Sequence, residues 1–326
     1  MALKQEVLQI LEENRGKSVS GEEMAARLSV SRNAVWKVIR VLKAEGVEIL
    51  AGTNRGYCLS EKNDLLSEEG IRKYLSVSDR RLSIELRDSV TSTNTVLKEL
   101  AENGAQEGLI VIAREQSAGK GRKGRSFYSP RNGSLYMSVL LRPAIPVEQA
   151  VSITTMAAVS VARAVEETSG KHTLIKWVND VFMDQKKICG ILTEASVDME
   201  TGFPAYAVLG IGINIYPPAE GLPKELKEIV GTVFQIPGEG GGSYTNLLAA
   251  GVLNRFFEYY DRILDKSYME EYRRRSFVIG RQVTYLSGET KRQVTVLGID
   301  DDAGLLVEAQ DGTRSVLDSG EVSIRL

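Results

Sequence analysis

Ten consecutive residues near the middle of the chain, Gln116-Ser-Ala-Gly119-Lys120-Gly121-Arg122-Lys123-Gly124-Arg125, combine three glycines with four cations. Glycines let the backbone wrap closely around a ligand and present N–H groups, and interleaved cations neutralise phosphate or carboxylate oxygens. The chemistry is that of holding anions. By composition alone, such a run serves equally as a nucleic-acid tail or a flexible linker. Its position between two buried-strand patterns, Leu109 to Ala113 and Ser134 to Leu141, argues instead for a functional loop of a folded domain.

Other polar groups have ordinary readings. Ser92 and Thr93 can cap the helix that follows them, Asn179-Asp180 can make a hairpin turn, and Lys187 can be an exposed charge on a strand. The run Gly210 to Asn214 reads as a strand kept glycine-rich for close packing. Composition narrows the chemistry further. With two cysteines, Cys58 and Cys189, and one histidine, His172, there is no material for a disulfide framework, a Cys/His zinc site or a Ser-His-Asp triad. The net charge of −2 means that any nucleic-acid binding must come from local segregation of cations.

The elements that must position these groups follow from periodicity. Val7, Leu8, Ile10 and Leu11 make one amphipathic helix. Ser20 with Glu23 forms a capping box for a short helix from about Gly21 to Leu28. Ser31 caps the next helix, in which Val35, Val38, Ile39 and Leu42 form a core stripe and Arg32, Lys37, Arg40 and Lys43 lie mostly off it. Two helices joined at Ser29 to Ser31, the second with a basic outer face, make a helix-turn-helix. A hairpin with the tip Gly52-Thr53-Asn54-Arg55-Gly56 adds a wing. An arginine on that tip puts a cation where phosphates or a minor groove lie, an arrangement a purely structural domain does not need.

Residues from about Glu61 to Asp79 read as a linker containing a short helix capped by Ser67, and from Arg81 strands and helices mix. Leu82 to Leu86, Leu109 to Ala113, Ser134 to Leu141, Leu174 to Trp177, Lys187 to Leu192 and Ala205 to Ile215 read as strands. Thr93 to Asn103, Val147 to Ser169, ended by Gly170, and about Tyr244 to Tyr272 read as helices. This predicts a largely antiparallel mixed sheet in an α+β domain. After Arg275 regularly spaced glycines separate short strands, which predicts a small barrel.

The glycine-cation run resembles the loop of the biotin protein ligases, and further motifs of that family follow in order. They are Thr91-Ser92-Thr93-Asn94, Gly133-Ser134-Leu135-Tyr136, Lys176-Trp177-Val178-Asn179-Asp180, Lys186-Lys187-Ile188-Cys189-Gly190-Ile191-Leu192 and Gly210-Ile211-Gly212-Ile213-Asn214. With the N-terminal winged helix and the C-terminal barrel ending Gly320-Glu321-Val322-Ser323-Ile324-Arg325, the resemblance covers nearly the whole chain. It points to the bifunctional members that also repress the biotin operon. There are two departures: Lys120 stands where the family often has Arg, and Val178 where it usually has Pro.

The resemblance implies a multidomain α+β protein: a winged helix-turn-helix over residues 1–62, a linker over 63–80, a ligase domain over 81–275 and an SH3-like barrel over 276–326. It implies that Ser92, Thr93, Asn94, Gln116, Gly119, Lys120, Arg122, Tyr136, Lys187 and Gly190 hold biotin. Arg122, Arg125, Asn179, Asp180, Asn214 and Arg325 would hold the nucleotide, with Lys187 and Arg122 catalytic, and Ser31, Arg32, Asn33, Lys37, Arg40 and Arg55 would meet DNA. Implied with them are ATP, Mg²⁺, biotin and biotinoyl-5′-AMP, and no resident metal site on the protein. The implied partners are a biotin carboxyl carrier protein and operator DNA, with a homodimer in the adenylate-bound form. The N-terminus lacks a signal peptide's apolar core and no run is long enough to span a membrane, so a cytoplasmic location is expected. A lipoate-type ligase and a ligand-responsive repressor without catalysis are the alternatives.

Overall fold

The computed structural model describes residues 3–323 apart from 53–55, 78–81, 132, 199, 237–238, 240–241, 288–289 and 319. The chain divides into two units. The first comprises Met1–Ser76 with Ile236–Ala250, the second Val77–Gln235 with Gly251–Leu326.

In the first unit α1 (Leu3–Glu13) is followed by β1 (Ser18–Val19), α2 (Gly21–Arg27) and α3 (Arg32–Ala44). The two serines act as the sequence suggests: Ser20 Oγ accepts from Glu23 N–H at 3.0 Å and Ser31 Oγ from Ala34 N–H at 3.2 Å. Each cap satisfies an N–H that the first helical turn leaves without a partner. Val35, Ile39 and Leu42 are buried with Leu11, Met24 and Leu59, while Arg32, Asn33, Lys37 and Arg40 are exposed. β2 (Ile49–Gly52) and β3 (Gly56–Leu59) form the wing, and β1 adds an unforeseen third strand on β3. Arg55, expected on the wing tip, lies outside the described residues.

The short helix expected within the linker is present. Ser67 caps α4 (Glu68–Arg72), Ile71 is fully buried, and α4 packs on α1. The start of α7 (Tyr244–Tyr260) fastens this segment, Thr245 N–H donating to Asp64 Oδ1 at 2.7 Å and Ser67 N–H to Asn246 Oδ1 at 2.9 Å.

The second unit is built on a seven-stranded sheet in the order β4-β5-β6-β10-β9-β8-β7. Its strands are β4 (Ser83–Arg87), β5 (Leu109–Ala113), β6 (Ser134–Leu141), β7 (Leu174–Lys176), β8 (Asp180–Met183), β9 (Lys186–Val197) and β10 (Pro204–Asn214). Only β4 and β5 pair in parallel, which makes the sheet mixed and mainly antiparallel, as expected. Alternate residues of a strand face opposite sides. On β10, Tyr206 and Val208 pack with Leu97 and Ala101 of α5 (Thr93–Glu102), so Gly210 and Gly212 share the α5 face. On β9, Thr193 bonds Thr154 of α6 (Val151–Ser169), which covers the other face.

Two expected helices are shorter. A 3₁₀ turn, Val147–Gln149, precedes α6, and the pattern from Tyr244 to Tyr272 breaks after Tyr260. Asp265 caps the break by accepting from Ser267 N–H at 2.9 Å, and helix resumes as α8 (Met269–Arg275). The C-terminal strands β11 (Gln282–Ser287), β12 (Thr290–Ile299), β13 (Leu305–Ala309), β14 (Arg314–Leu317) and β15 (Glu321–Ser323) order as β14-β13-β12-β11-β15. The expected barrel is thus a five-stranded antiparallel sheet, with no ladder between β14 and β15 among the described residues.

Buried Arg275 fixes α8 to α6 and to the approach to β7. Its guanidinium donates to Glu166 at 2.7 and 2.8 Å, to Glu271 at 2.7 and 2.9 Å, and to the Thr173 carbonyl at 3.3 Å. Burial pushes the Glu166 carboxyl up, but the Arg275 bonds and the Thr173 N–H override it and bring it to about 2. A depressed carboxylate contributes stability above its unfolded value near 4.5, lost as pH falls toward 2. Stability to urea is therefore expected to decline between pH 4.5 and 2. Arg275→Met removes the buried partner of two half-buried carboxylates, costing about 1.5–3 kcal/mol at pH 7 and flattening the acid decline. Unchanged urea midpoints would contradict the role.

Candidate active site

The antiparallel register places Gly190 of β9 directly opposite Gly212 of β10 on the α5 face of the sheet. The missing side chains make room for Phe127, which follows the glycine-cation loop. A Cβ on Gly212 would lie 2.6 Å from the Phe127 ring, and one on Gly190 would lie 3.0 Å from it. Tyr136 meets Phe127 edge-on at 6.5 Å and donates to the Pro130 carbonyl at 3.0 Å; burial pushes its phenol up. Phe127 was not singled out from the sequence. Its signal lay in the two glycines that have to face a ring.

The loop itself is folded. Phe127 N–H donates to the Gly119 carbonyl at 2.8 Å, Gly121 N–H to the Arg125 carbonyl at 2.7 Å, and Lys123 takes φ 53° at the turn. Gly119 has no space for a side chain, since a Cβ would lie 2.4 Å from the Phe127 carbonyl oxygen.

A cleft lies between this loop, the start of α5 and the paired glycines. Of the residues expected to hold the acid, Ser92, Thr93, Asn94, Gln116, Lys120, Arg122, Tyr136, Lys187 and Gly190 line it, and Gly119 stands behind it. Ser92 occupies the cap position of α5 but its side chain makes no cap hydrogen bond. At one end, Gln116 Oε1 accepts from Thr93 N–H at 2.8 Å and Gln116 Nε2 donates to Ser129 Oγ at 2.9 Å. This fixes the amide orientation and leaves one N–H of the Gln116 amide beyond that bond. Thr93 Oγ1 supplies an acceptor beside it. A donor and an acceptor side by side suit a ligand group of the form HN–C=O.

The other end is cationic. Lys187 Nζ lies 2.7 Å from Asp180 Oδ1, and Arg122 donates to Asn179 Oδ1 at 3.2 Å. Lys187 should face α6, because regular alternation puts odd residues of β9 there. The register shift between Val181 and Phe182 pairs Val181 with Cys189 and Phe182 with Lys187, and this bulge turns Lys187 to the cleft. The backbone of Lys187 bonds outward, to the Ile229 carbonyl at 2.8 Å and from Gly231 N–H at 2.9 Å.

An adjoining cleft is lined by Arg122, Arg125, Lys176, Trp177, Asn179, Asp180, Lys187 and Val322. Asn179 Nδ2 donates to the Ile191 carbonyl at 2.9 Å, so Asn179-Asp180 is tied to the sheet and leads into β8. Tyr272 donates to the Val178 carbonyl at 3.1 Å and Trp177 Nε1 to the Ala303 carbonyl at 2.8 Å, anchoring the segment in which Val178 stands. Asn214 lines neither cleft; it pairs with Ser134 at the end of β10, and its carbonyl accepts from Val233 N–H at 3.0 Å. Arg325 lies outside the described residues. Cys189 is fully buried and burial pushes its thiol up, which removes it as a nucleophile.

Fold and site together define a helix-turn-helix protein whose second unit carries two adjoining clefts lined by cations. Residues 4–58 match an HTH domain, 86–214 the biotin/lipoate A/B protein ligase family, and 278–325 the biotin protein ligase C terminal domain. The chain is 32% identical over 322 residues to the bifunctional ligase/repressor BirA of Bacillus subtilis, covering 96% of each. It is 28% identical to the Escherichia coli protein of the same name, covering 95% of this chain and 94% of that one. The Aquifex aeolicus biotin protein ligase, solved with biotin and ATP, superposes with a TM-score of 0.62 at 29% identity, covering 74% of this chain and 98% of that one. The chain belongs to the family of bifunctional biotin ligases and repressors.

If the glycine pair is what seats Phe127, Gly212→Ala should weaken binding of the acid on the order of tenfold by displacing the ring, and Phe127→Leu should recover part of the loss. Isothermal titration checks this; full-strength binding by Gly212→Ala would show that the ring moves freely.

Proposed function

We propose that this chain is an ATP-dependent, AMP-forming biotin protein ligase that also represses transcription through its helix-turn-helix. The observation that carries the reading is the cleft with an amide-matching pair, Thr93 and Gln116, at one end and two cations, Lys187 and Arg122, at the other. Biotin has a ureido ring at one end and a carboxylate at the other. Its carboxylate oxygen attacks the α-phosphorus of ATP, pyrophosphate leaves, and biotinoyl-5′-AMP forms. The ε-amine of an acceptor lysine on a biotin carboxyl carrier protein then attacks the acyl carbon, AMP leaves and the amine loses a proton.

Attack of one anion on another is helped mainly by positioning and charge cancellation. Lys187 and Arg122 stand where carboxylate and α-phosphate must meet, and Arg125, Asn179 and Asp180 lie on the nucleotide side; Asn214 and Arg325 are assigned there by resemblance alone. Mg²⁺ fits as the nucleotide's counter-ion. Among the described residues no group of three or more Asp, Glu, His or Cys is placed to hold a metal, and Asp180 is the single carboxylate in the cleft. That suits an ion held largely by phosphates, where it lowers their charge. The glycine-cation loop and Phe127 shield the mixed anhydride from water.

On the DNA side, α3 presents Arg32, Asn33, Lys37 and Arg40, with Ser31 at its cap and Arg55 assigned to the wing by sequence. The adenylate-bound form acts as a homodimer on operator DNA, with biotinoyl-AMP as corepressor. The bulge in β12 between Val296 and Gly298 supports reading the C-terminal sheet as an SH3-like barrel. No helix among the described residues is long and apolar enough to cross a membrane.

Lys187→Ala is expected to lower biotin-dependent ATP–pyrophosphate exchange on the order of a hundredfold. Exchange within a few fold of wild type would reduce Lys187 to a surface charge. Replacing Arg32, Lys37 and Arg40 together with alanine should abolish the operator gel shift while acceptor biotinylation persists. Retained specific binding would contradict the assignment of α3.

A further inference from the structure

The cleft's recognition end continues into a chain of hydrogen bonds that leaves the ligand behind. Asn94, buried beside Thr93, donates through Nδ2 to Glu194 Oε2 at 2.8 Å and to the Leu192 carbonyl at 3.3 Å. Its Oδ1 receives Ser138 Oγ at 2.6 Å, and Ser138 Oγ lies 2.7 Å from Thr93 Oγ1. Thr93 Oγ1 in turn lies 3.1 Å from Gln116 Oε1. Gly210 gives Asn94 its place, since a Cβ there would lie 2.2 Å from Asn94 Oδ1. At the far end the ammonium of Lys98 bonds Glu194 Oε1.

The direction of each bond follows from the carboxylate. An ionised carboxylate only accepts, so Asn94 must turn its NH₂ to Glu194 and its carbonyl to Ser138. That carbonyl also only accepts, so the single hydroxyl proton of Ser138 goes to Asn94. Thr93 is left facing two acceptors, Ser138 Oγ and Gln116 Oε1, and its proton goes to one of them. Its remaining lone pairs face the cleft.

We infer that Glu194 is a positioning residue that sets the polarity of this chain, so that Thr93 is held as an acceptor for a ligand N–H. The inference rests on the ligase reading and adds a specificity determinant outside the cleft lining. Burial pushes the Glu194 carboxyl up, but bonds from Lys98 and Asn94 outweigh it and hold it below the usual range, with Lys120 adding its charge. The carboxylate is thereby kept ionised at neutral pH. A glutamine at 194 would keep its oxygen toward the Lys98 ammonium and turn its NH₂ to Asn94, leaving the Leu192 carbonyl as the one acceptor that holds Asn94 in this orientation.

The test is steady-state adenylation by Glu194→Gln, Ser138→Ala and the double variant, with biotin and with an analogue in which oxygen replaces one ureido N–H. Circular dichroism and thermal melting establish that each variant is folded. Glu194→Gln should raise the KM for biotin on the order of tenfold while kcat changes less than twofold. It should also shrink the wild type's preference for biotin over the analogue. Ser138→Ala should do the same, and the double variant should be no worse than the poorer single, because both cut one chain. If Glu194→Gln does not fold, Ser138→Ala carries the test by the same readouts. An unchanged KM with full preference, additive losses, or a fall confined to kcat would overturn the inference. Failure of the wild-type protein to adenylate biotin would overturn the ligase reading itself.

Discussion

The chemistry depends on holding two anions together long enough for one to attack the other. At 4 Å two like unit charges repel by about 1 kcal/mol in water and about 4 kcal/mol at an effective dielectric of 20, so a partly sheltered cleft makes the problem worse unless it carries fixed cations. In the proposed mechanism Lys187 and Arg122 meet that need, and neither is a loose charge, one being paired with Asp180 and the other bonded to Asn179. In that mechanism these tethers keep the cations where phosphate and carboxylate meet, so little reorganisation is left to the reaction.

Backbone devices put those cations in place. The bulge beside Phe182 turns Lys187 to the cleft, and the backbone bonds to Ile229 and Gly231 hold it there. The opposed glycines at 190 and 212 admit Phe127, which borders both clefts. Buried Arg275 secures α8, whose Tyr272 in turn holds the Val178 carbonyl just before Asn179 and Asp180. Positioning therefore runs from the helical layer through one turn to the nucleotide side.

Local signals in the sequence carried most of the fold. Ser20, Ser31 and Ser67 announced helix starts, the glycine at 170 a helix end, and alternation most of the strands. The break at Asp265 was not legible, because the aromatic residues on both sides continue a helical pattern. β1 was too short to show a period, and the docking of α4 was not legible because its anchors, Thr245 and Asn246, lie some 180 residues away. In the site, the residue types spoke for themselves in the glycine-cation loop. Lys187 did not: its strand pattern alone puts it on the opposite face, and only the register shift exposes its purpose. Glu194 and Ser138 looked like ordinary strand residues, since their significance lies in partners more than forty residues distant.

The central claim is that one cleft makes and keeps an acyl-adenylate of biotin. The direct measurement incubates the protein with biotin and ATP labelled at the α-phosphate, removes free nucleotide by gel filtration, and counts the label that stays with the protein. Lipoate is run in parallel. The account predicts near-stoichiometric, biotin-dependent label that is released as AMP when acceptor protein is added. No retained label with biotin, or retention with lipoate in its place, would contradict it.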